Sequence, residues 1–447
     1  MKKRILRTAA LLLSLACLIL PAAAAGEAVA LRGIAEDSVP DANGIGAAAV
    51  WNIENETFVY EHNVDAPLAP ASLTKLMTAV CAYEVLGGRM DETLTVEYGM
   101  IAAASGNQVG YYVGETVTVR DLFGGLLTRG ANDCAYLLAY AADGGTDAFV
   151  ARMNEKAAAL GMSATVYKNP TGMNAEGAVT TARDSIRVAA AFHAIPALTA
   201  LSSSVQYEMP ATNKAAARII YNRNALVSRV SETGYFDARV TGLNAGSTVE
   251  SGYYAASAVG SETLHYVIAV LGAVEAEGMN LAYTYTSKLA DYALSRFGYI
   301  EVIKAAGAVC ELPVTLSSTA DYVALVPATS LTLYLSLSTD VDTELVKTVR
   351  LDHESLEAPV EAGRAVGVYS VSRGGELLGS VDLVTKNALP RSEFLVVLRS
   401  IEDFTTGVFF LGTVAAAVVL TLLYFLIRAL MRRREGRRGA PRHYRSR

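Results

Sequence analysis

The chain has 447 residues, 52% of them hydrophobic and 18% charged, with a formal net charge of −6. One hydrophobic core does not organise that length, so two or three domains are expected. The composition is globular, and the acidic balance argues against nucleic acid as a partner.

The N-terminus reads as an address. Lys2, Lys3, Arg4 and Arg7 precede an apolar run at 9–20, then Pro21 and a row of alanines. That pattern predicts a secretory signal peptide over residues 1–25. Leu15-Ala16-Cys17 offers a lipobox as the alternative, although the apolar run continues past the cysteine. Residues 26–44, polar and broken by Pro and Gly, read as a linker.

Residues 45–299 read as one domain. A hairpin at 46–61 delivers the chain to Pro70-Ala71-Ser72-Leu73-Thr74-Lys75, where a helix starts that Gly87-Gly88 ends. Helices are expected at 122–128, 134–142, 147–160 and 181–192, with a break at Arg129-Gly130-Ala131-Asn132-Asp133. Strands at 239–246, 252–259 and 264–271 and a long helix at 280–297 complete the unit. Helices in the middle with strands at both ends predict an α/β (α+β) fold, one antiparallel sheet covered by helices.

Alternating hydrophobicity over 300–400 predicts a separate β-rich domain. Residues 407–427 are apolar for long enough to cross a bilayer, and the basic tail 428–447 holds nine arginines. The positive-inside rule puts that tail in the cytoplasm and the body outside the membrane. Removing the four basic residues of the leader and the net +8 of the tail leaves about −18 on the body. An anionic substrate therefore needs a local cationic pocket.

Cys81, Cys134 and Cys310 are too few and too scattered for a disulfide framework. A bridge between Cys81 and Cys134 stays open. The five histidines show no metal-ligand spacing, so neither a metal nor a cofactor is expected. Glu54/Glu56 and Asp340/Asp342 fit solvated turns.

Ser72 and Lys75 carry the chemistry. Three residues apart at a helix start, they share one face. A serine is a weak nucleophile until a base takes its proton, and a desolvated lysine serves as that base. The pair alone occurs by chance in many proteins and reads first as a capping serine and a surface lysine.

The wider pattern resembles the active-serine penicillin-binding and β-lactamase enzymes, which combine S-x-x-K, Ser-x-Asn and a Lys-Thr-Gly strand. Pro70–Thr78, Gly130-Ala131-Asn132 and Asn244-Ala245-Gly246 hold those places in order. Asn169-Pro170-Thr171-Gly172-Met173, Asn222-Arg223-Asn224 and the segment 241–254 narrow the resemblance to the D-alanyl-D-alanine carboxypeptidases, low-molecular-mass penicillin-binding proteins. Leu356-Glu357-Ala358-Pro359-Val360 and the C-terminal anchor extend it over nearly the whole chain.

The resemblance implies Ser72 as acylated nucleophile, Lys75 as general base and Asn132 as a partner of the substrate amide. It places the oxyanion hole at the backbone N–H groups of Ser72 and Ser247, and substrate along Asn244, Gly246, Ser247 and Thr248. Gly246 is expected to let the substrate backbone come close. Implied partners are peptidoglycan stem peptides, β-lactams as covalent inhibitors and the membrane. Two departures stand out: Gly130 replaces the serine of Ser-x-Asn, and Asn244-Ala245 replace the lysine and threonine. Ser105-Gly106-Asn107, a second Ser-x-Asn, comes before the helix pair and reads as a loop. A catalytically impaired cell-wall binding module is the alternative, and β-lactam hydrolysis lacks a deacylating carboxylate.

Overall fold

The computed structural model describes residues 39–230 and 234–438. The signal segment, the linker up to residue 38 and the last nine tail residues lie outside the described residues.

Residues 39–298, joined by Tyr334–Ser338, form one compact unit. Its centre is an antiparallel sheet of β1 (Ala47–Asn52), β2 (Thr57–His62), β3 (Val240–Thr248), β4 (Gly252–Gly260) and β5 (His265–Ala273), in the order β2-β1-β5-β4-β3. Both ends of the unit supply strands, and β3 is an edge. Strand β1 is apolar at successive positions because both its faces are buried: Ala47 and Ala49 enter one core, Ala48 and Val50 the other.

On the first face lie α1 (Thr74–Leu86), α2 (Asn132–Asp143), α3 (Thr146–Ala159) and α4 (Ala182–His193). α1 crosses this core and is buried from Thr74 through Ala82, which explains why its sequence is apolar all round rather than striped. Thr181 starts α4 by accepting the Asp184 N–H with its side chain. The second face is covered by α5 (Leu281–Arg296), whose Tyr285, Leu289 and Ala293 meet Ile268 and Val270 of β5 in one core. Cys81 and Cys134 are both free and buried, so the possible bridge does not form.

The other unit comprises Tyr299–Leu333 and the chain from Thr339 onward. Its sheet contains β6 (Cys310–Thr315), β7 (Tyr322–Pro327), β8 (Val346–Leu351), β9 (Leu356–Glu357), β10 (Ala365–Arg373) and β11 (Glu376–Thr385). The order is β8-β10-β11-β7-β6-β9, antiparallel except for the β6–β9 pair. Leu312, Val323, Leu325, Val366 and Leu383 fill a core of its own. Two helices follow, α6 (Glu393–Thr406) and α7 (Val408–Arg438). Within α7, the 26-residue stretch Val408–Arg433 holds 18 consecutive residues with a mean hydropathy of 2.4, long and apolar enough to cross a membrane.

Candidate active site

The helix does not begin at Ser72. A 3₁₀ turn, Ala71–Leu73, precedes α1 and holds Ser72 just outside it. Lys75 Nζ donates to Ser72 Oγ at 2.8 Å and to the Thr171 carbonyl at 2.8 Å. The lysine is 1% exposed and has no carboxylate partner among the described residues. Burial alone lowers its pKa to about 7, because an ammonium loses its hydration there and gains no counter-charge.

Thr171 belongs to a loop that its own side chains shape. Asn169 Oδ1 accepts the backbone N–H groups of Thr171 at 3.1 Å and Gly172 at 2.7 Å. This Asx turn aims the Thr171 carbonyl at Lys75, while the Pro170 carbonyl accepts from Thr78 Oγ1 at 2.7 Å. Gly172 has φ +75°, and a Cβ there would lie 1.7 Å from the Ala71 carbonyl oxygen. Only glycine lets the two backbones meet.

Asn132 opens α2, which packs along α1. Gly130 precedes it with φ +68° and ends a π-helical turn, Gly125–Arg129. Asn132 Nδ2 donates to the Ser105 carbonyl at 2.6 Å, and its backbone N–H donates to the Asn107 carbonyl at 2.7 Å. Ser105-Gly106-Asn107 is thus a loop, as expected, yet it lies directly against the Gly130–Asn132 motif despite its early place in the chain. Asp133 fastens it by accepting the Val109 and Gly110 N–H groups at 3.1 and 2.8 Å. Asn132 Oδ1 is buried and has no partner among the described residues. It is an acceptor held ready for a donor. Arg223, exposed, reaches Asn107 Oδ1 at 3.3 Å and has no ion pair among the described residues, so a cation stands at this loop.

Strand β3 packs on the Ala71–Leu73 turn. Asn244 is 7% exposed, and its Oδ1 has no partner among the described residues. Ser247 is exposed at the sheet edge, and Thr248 Oγ1 accepts the Ser251 N–H at 3.0 Å, closing the β3–β4 turn. Gly246 pairs with Tyr254 of β4. The room expected there for a substrate is already filled on one face: a Cβ on Gly246 would lie 2.5 Å from the Tyr254 hydroxyl oxygen.

Residues 38–275, more than half of the chain, match the peptidase S11 family, D-alanyl-D-alanine carboxypeptidase. The chain belongs to this family. Residues 299–391 match the penicillin-binding protein 5 C-terminal domain. The D-alanyl-D-alanine carboxypeptidase DacF of Bacillus subtilis is 26% identical over 361 residues, covering 79% of this chain and 88% of that protein. DacA of Escherichia coli is 26% identical over 343 residues, covering 75% and 81%. Among solved structures, the carboxypeptidase DacD of Francisella tularensis shares the fold with a TM-score of 0.58 at 21% identity, covering 79% of this chain and 95% of that one. Penicillin-binding protein 6B of Escherichia coli has a TM-score of 0.58 at 20% identity, covering 79% and 99%.

The segments expected as the second and third motifs are formed but lack some of the expected side chains. The Gly130 turn, the Asn132 helix start and the β3 edge are all formed, but no hydroxyl stands at 130 and no ammonium at 244. Two groups escaped the sequence reading. The Thr171 carbonyl is a backbone atom and leaves no side-chain signature. Tyr254 becomes visible only through its register opposite Gly246.

Proposed function

We propose that this protein is a serine-type D-alanyl-D-alanine carboxypeptidase that removes the terminal D-alanine of peptidoglycan stem peptides through an acyl-enzyme on Ser72. One observation carries the reading: a fully buried lysine without a counter-ion among the described residues, its Nζ 2.8 Å from Ser72 Oγ. Neutral Lys75 takes the Ser72 proton as Oγ bonds to the carbonyl carbon of the penultimate D-alanine. The C–N bond then breaks, the proton passes to the leaving amine, and D-alanine departs. Water cleaves the ester with Lys75 again as base.

Backbone N–H groups of Ser72 and Ser247 hold the oxyanion. Asn132 Oδ1 accepts the substrate amide N–H. Asn244, Gly246, Ser247 and Thr248 line the strand along which the peptide lies, and β-lactams acylate Ser72 in the same way. α7 anchors the protein with its body outside the membrane and the arginine-rich tail in the cytoplasm.

The base sets a pH dependence. Protonated Lys75 cannot accept a proton, so the acylation rate should rise with pH through about 7 and level off above it. A rate that is flat between pH 5.5 and 8 would remove Lys75 from the role.

The full chain in detergent, incubated with a fluorescent penicillin, should take up covalent label that Ser72→Ala abolishes. D-alanine release from a peptide ending in D-alanyl-D-alanine measures turnover. The missing side chains at Gly130, Asn244 and Ala245 favour a second reading, a cell-wall binding module that keeps the fold. Tight binding of the peptide with neither label nor D-alanine release would establish it.

A further inference from the structure

A shallow pocket, open to solvent, runs from the contact between Ala71 and Gly172 to the β3–β4 turn, Thr248 to Ser251. Ala71 is bonded to Ser72, so the pocket starts one residue from the nucleophile. Pro70, Met173 and Ala178 give it apolar walls. Glu250, exposed on the turn, is the only charged residue lining it among the described residues, and it enters no ion pair with them. Lys168 of the adjoining loop lies against Gly177 and is not part of the lining. The turn that carries Glu250 is fixed at both ends. Thr248 Oγ1 accepts the Ser251 N–H at 3.0 Å. Gly252 has φ +68°, and a Cβ there would lie 2.7 Å from the Ala273 carbonyl oxygen.

The direction of the peptide follows from the site as proposed above, on which this inference rests. Along β3 the terminal carboxylate belongs at Asn244 and Ala245, and the scissile carbonyl at the Ser247 N–H. From that carbonyl the rest of the substrate leaves toward Thr248, which brings the residue before the D-alanine pair to the pocket. Apolar walls with one carboxylate at the rim suit a side chain of methylenes that ends in an ammonium. The methylenes lie along the walls while the charge stays at the wet edge.

We infer that this pocket holds the side chain of the residue before the D-alanine pair, a diamino acid, with its free ammonium against Glu250. An amine already spent in a cross-link is a neutral amide and loses that contact. The pocket therefore selects stem peptides whose side-chain amine is still free.

The full chain carrying Ser72→Ala, which forms no acyl-enzyme, can be titrated in detergent with fluorescent peptides ending in lysyl-D-alanyl-D-alanine. Norleucine in place of the lysine removes the ammonium, and Nε-acetyl-lysine mimics the cross-linked amine. The lysine peptide should bind about threefold to fivefold more tightly than either, the size of one partly exposed ion pair. Adding Glu250→Gln should erase that difference, with thermal melts confirming the fold. Equal binding of the three peptides overturns the subsite. So does a lysine preference that survives Glu250→Gln, which would assign it to the acidic body as a whole. No measurable binding of any peptide overturns it too. Penicillin labelling of the wild-type chain reports on Ser72 separately: a Glu250-dependent lysine preference without label supports the pocket and overturns the acyl-enzyme.

Discussion

Lys75→Met is expected to abolish acylation of Ser72 and, at the same time, to raise the melting temperature. Loss of reaction follows from loss of the only basic group in contact with Ser72 Oγ among the described residues. The gain in stability follows from burial. In the folded chain the lysine pKa falls from 10.5 to about 7. At about 1.4 kcal/mol per unit, keeping a charge there costs roughly 4–5 kcal/mol below pH 7. Methionine fills a similar volume without that cost but strands the Thr171 carbonyl, at about 1–3 kcal/mol. The net gain is about 2 kcal/mol, several degrees for a domain of this size.

The sign can be tested by pH. Because the folded pKa lies below the unfolded one, the unfolded chain binds more protons between pH 7 and 10.5, and wild-type stability rises across that window. The advantage of Lys75→Met should be largest at pH 6 and shrink by pH 10. A melting temperature below wild type at pH 6 would mean that the lysine is a structural tie rather than a strained base.

The second large effect concerns the third motif. Asn244→Lys with Ala245→Thr should increase D-alanine release about a hundredfold or more. A hydrogen bond to a charged group contributes about 1.5–3 kcal/mol, and roughly 1.4 kcal/mol is tenfold in rate. The acidic body offers little other attraction for a terminal carboxylate, and Arg223 stands off at the Asn107 loop. Adding Gly130→Ser should help less than the missing hydroxyl suggests. The position has φ +68°, where a side chain costs about 1–2 kcal/mol, although the nearest atom to a Cβ, Asn107 Nδ2, is 3.6 Å away. Unchanged release in both the double and the triple variant would show that these absences do not limit turnover.

Much of the catalytic fold was legible because its signals are local. The apolar run of β1, the long helix after Lys75 and the Gly130 break each come from neighbours in sequence. The α+β architecture followed from the order of strands and helices, and the family from its motifs. Helix starts were less legible: Ser72 lies in a 3₁₀ turn, and the segment after Leu122 widens into a π-helical turn. What stayed hidden depends on contacts between distant segments. Order in the chain set Ser105–Asn107 apart from Asn132, yet hydrogen bonds join them. Tyr254 reads as an ordinary strand aromatic until the register places it under Gly246. Nothing in the cysteine spacing told that Cys81 and Cys134 remain apart.

The contact between Ala71 and Gly172 bears on how the protein is made. The carbonyl that receives Lys75 lies 96 residues downstream of it. On the proposed export of the chain, the S-x-x-K segment emerges well before the loop that completes it. Until Gly172 reaches Ala71, Lys75 is a hydrated ammonium and Ser72 an ordinary alcohol, indifferent to any β-lactam in the surrounding medium. On the proposed Ser72 chemistry, reactivity toward penicillin should therefore mark finished folding, and pulse-labelled nascent chains should acquire it only after residue 172 has docked.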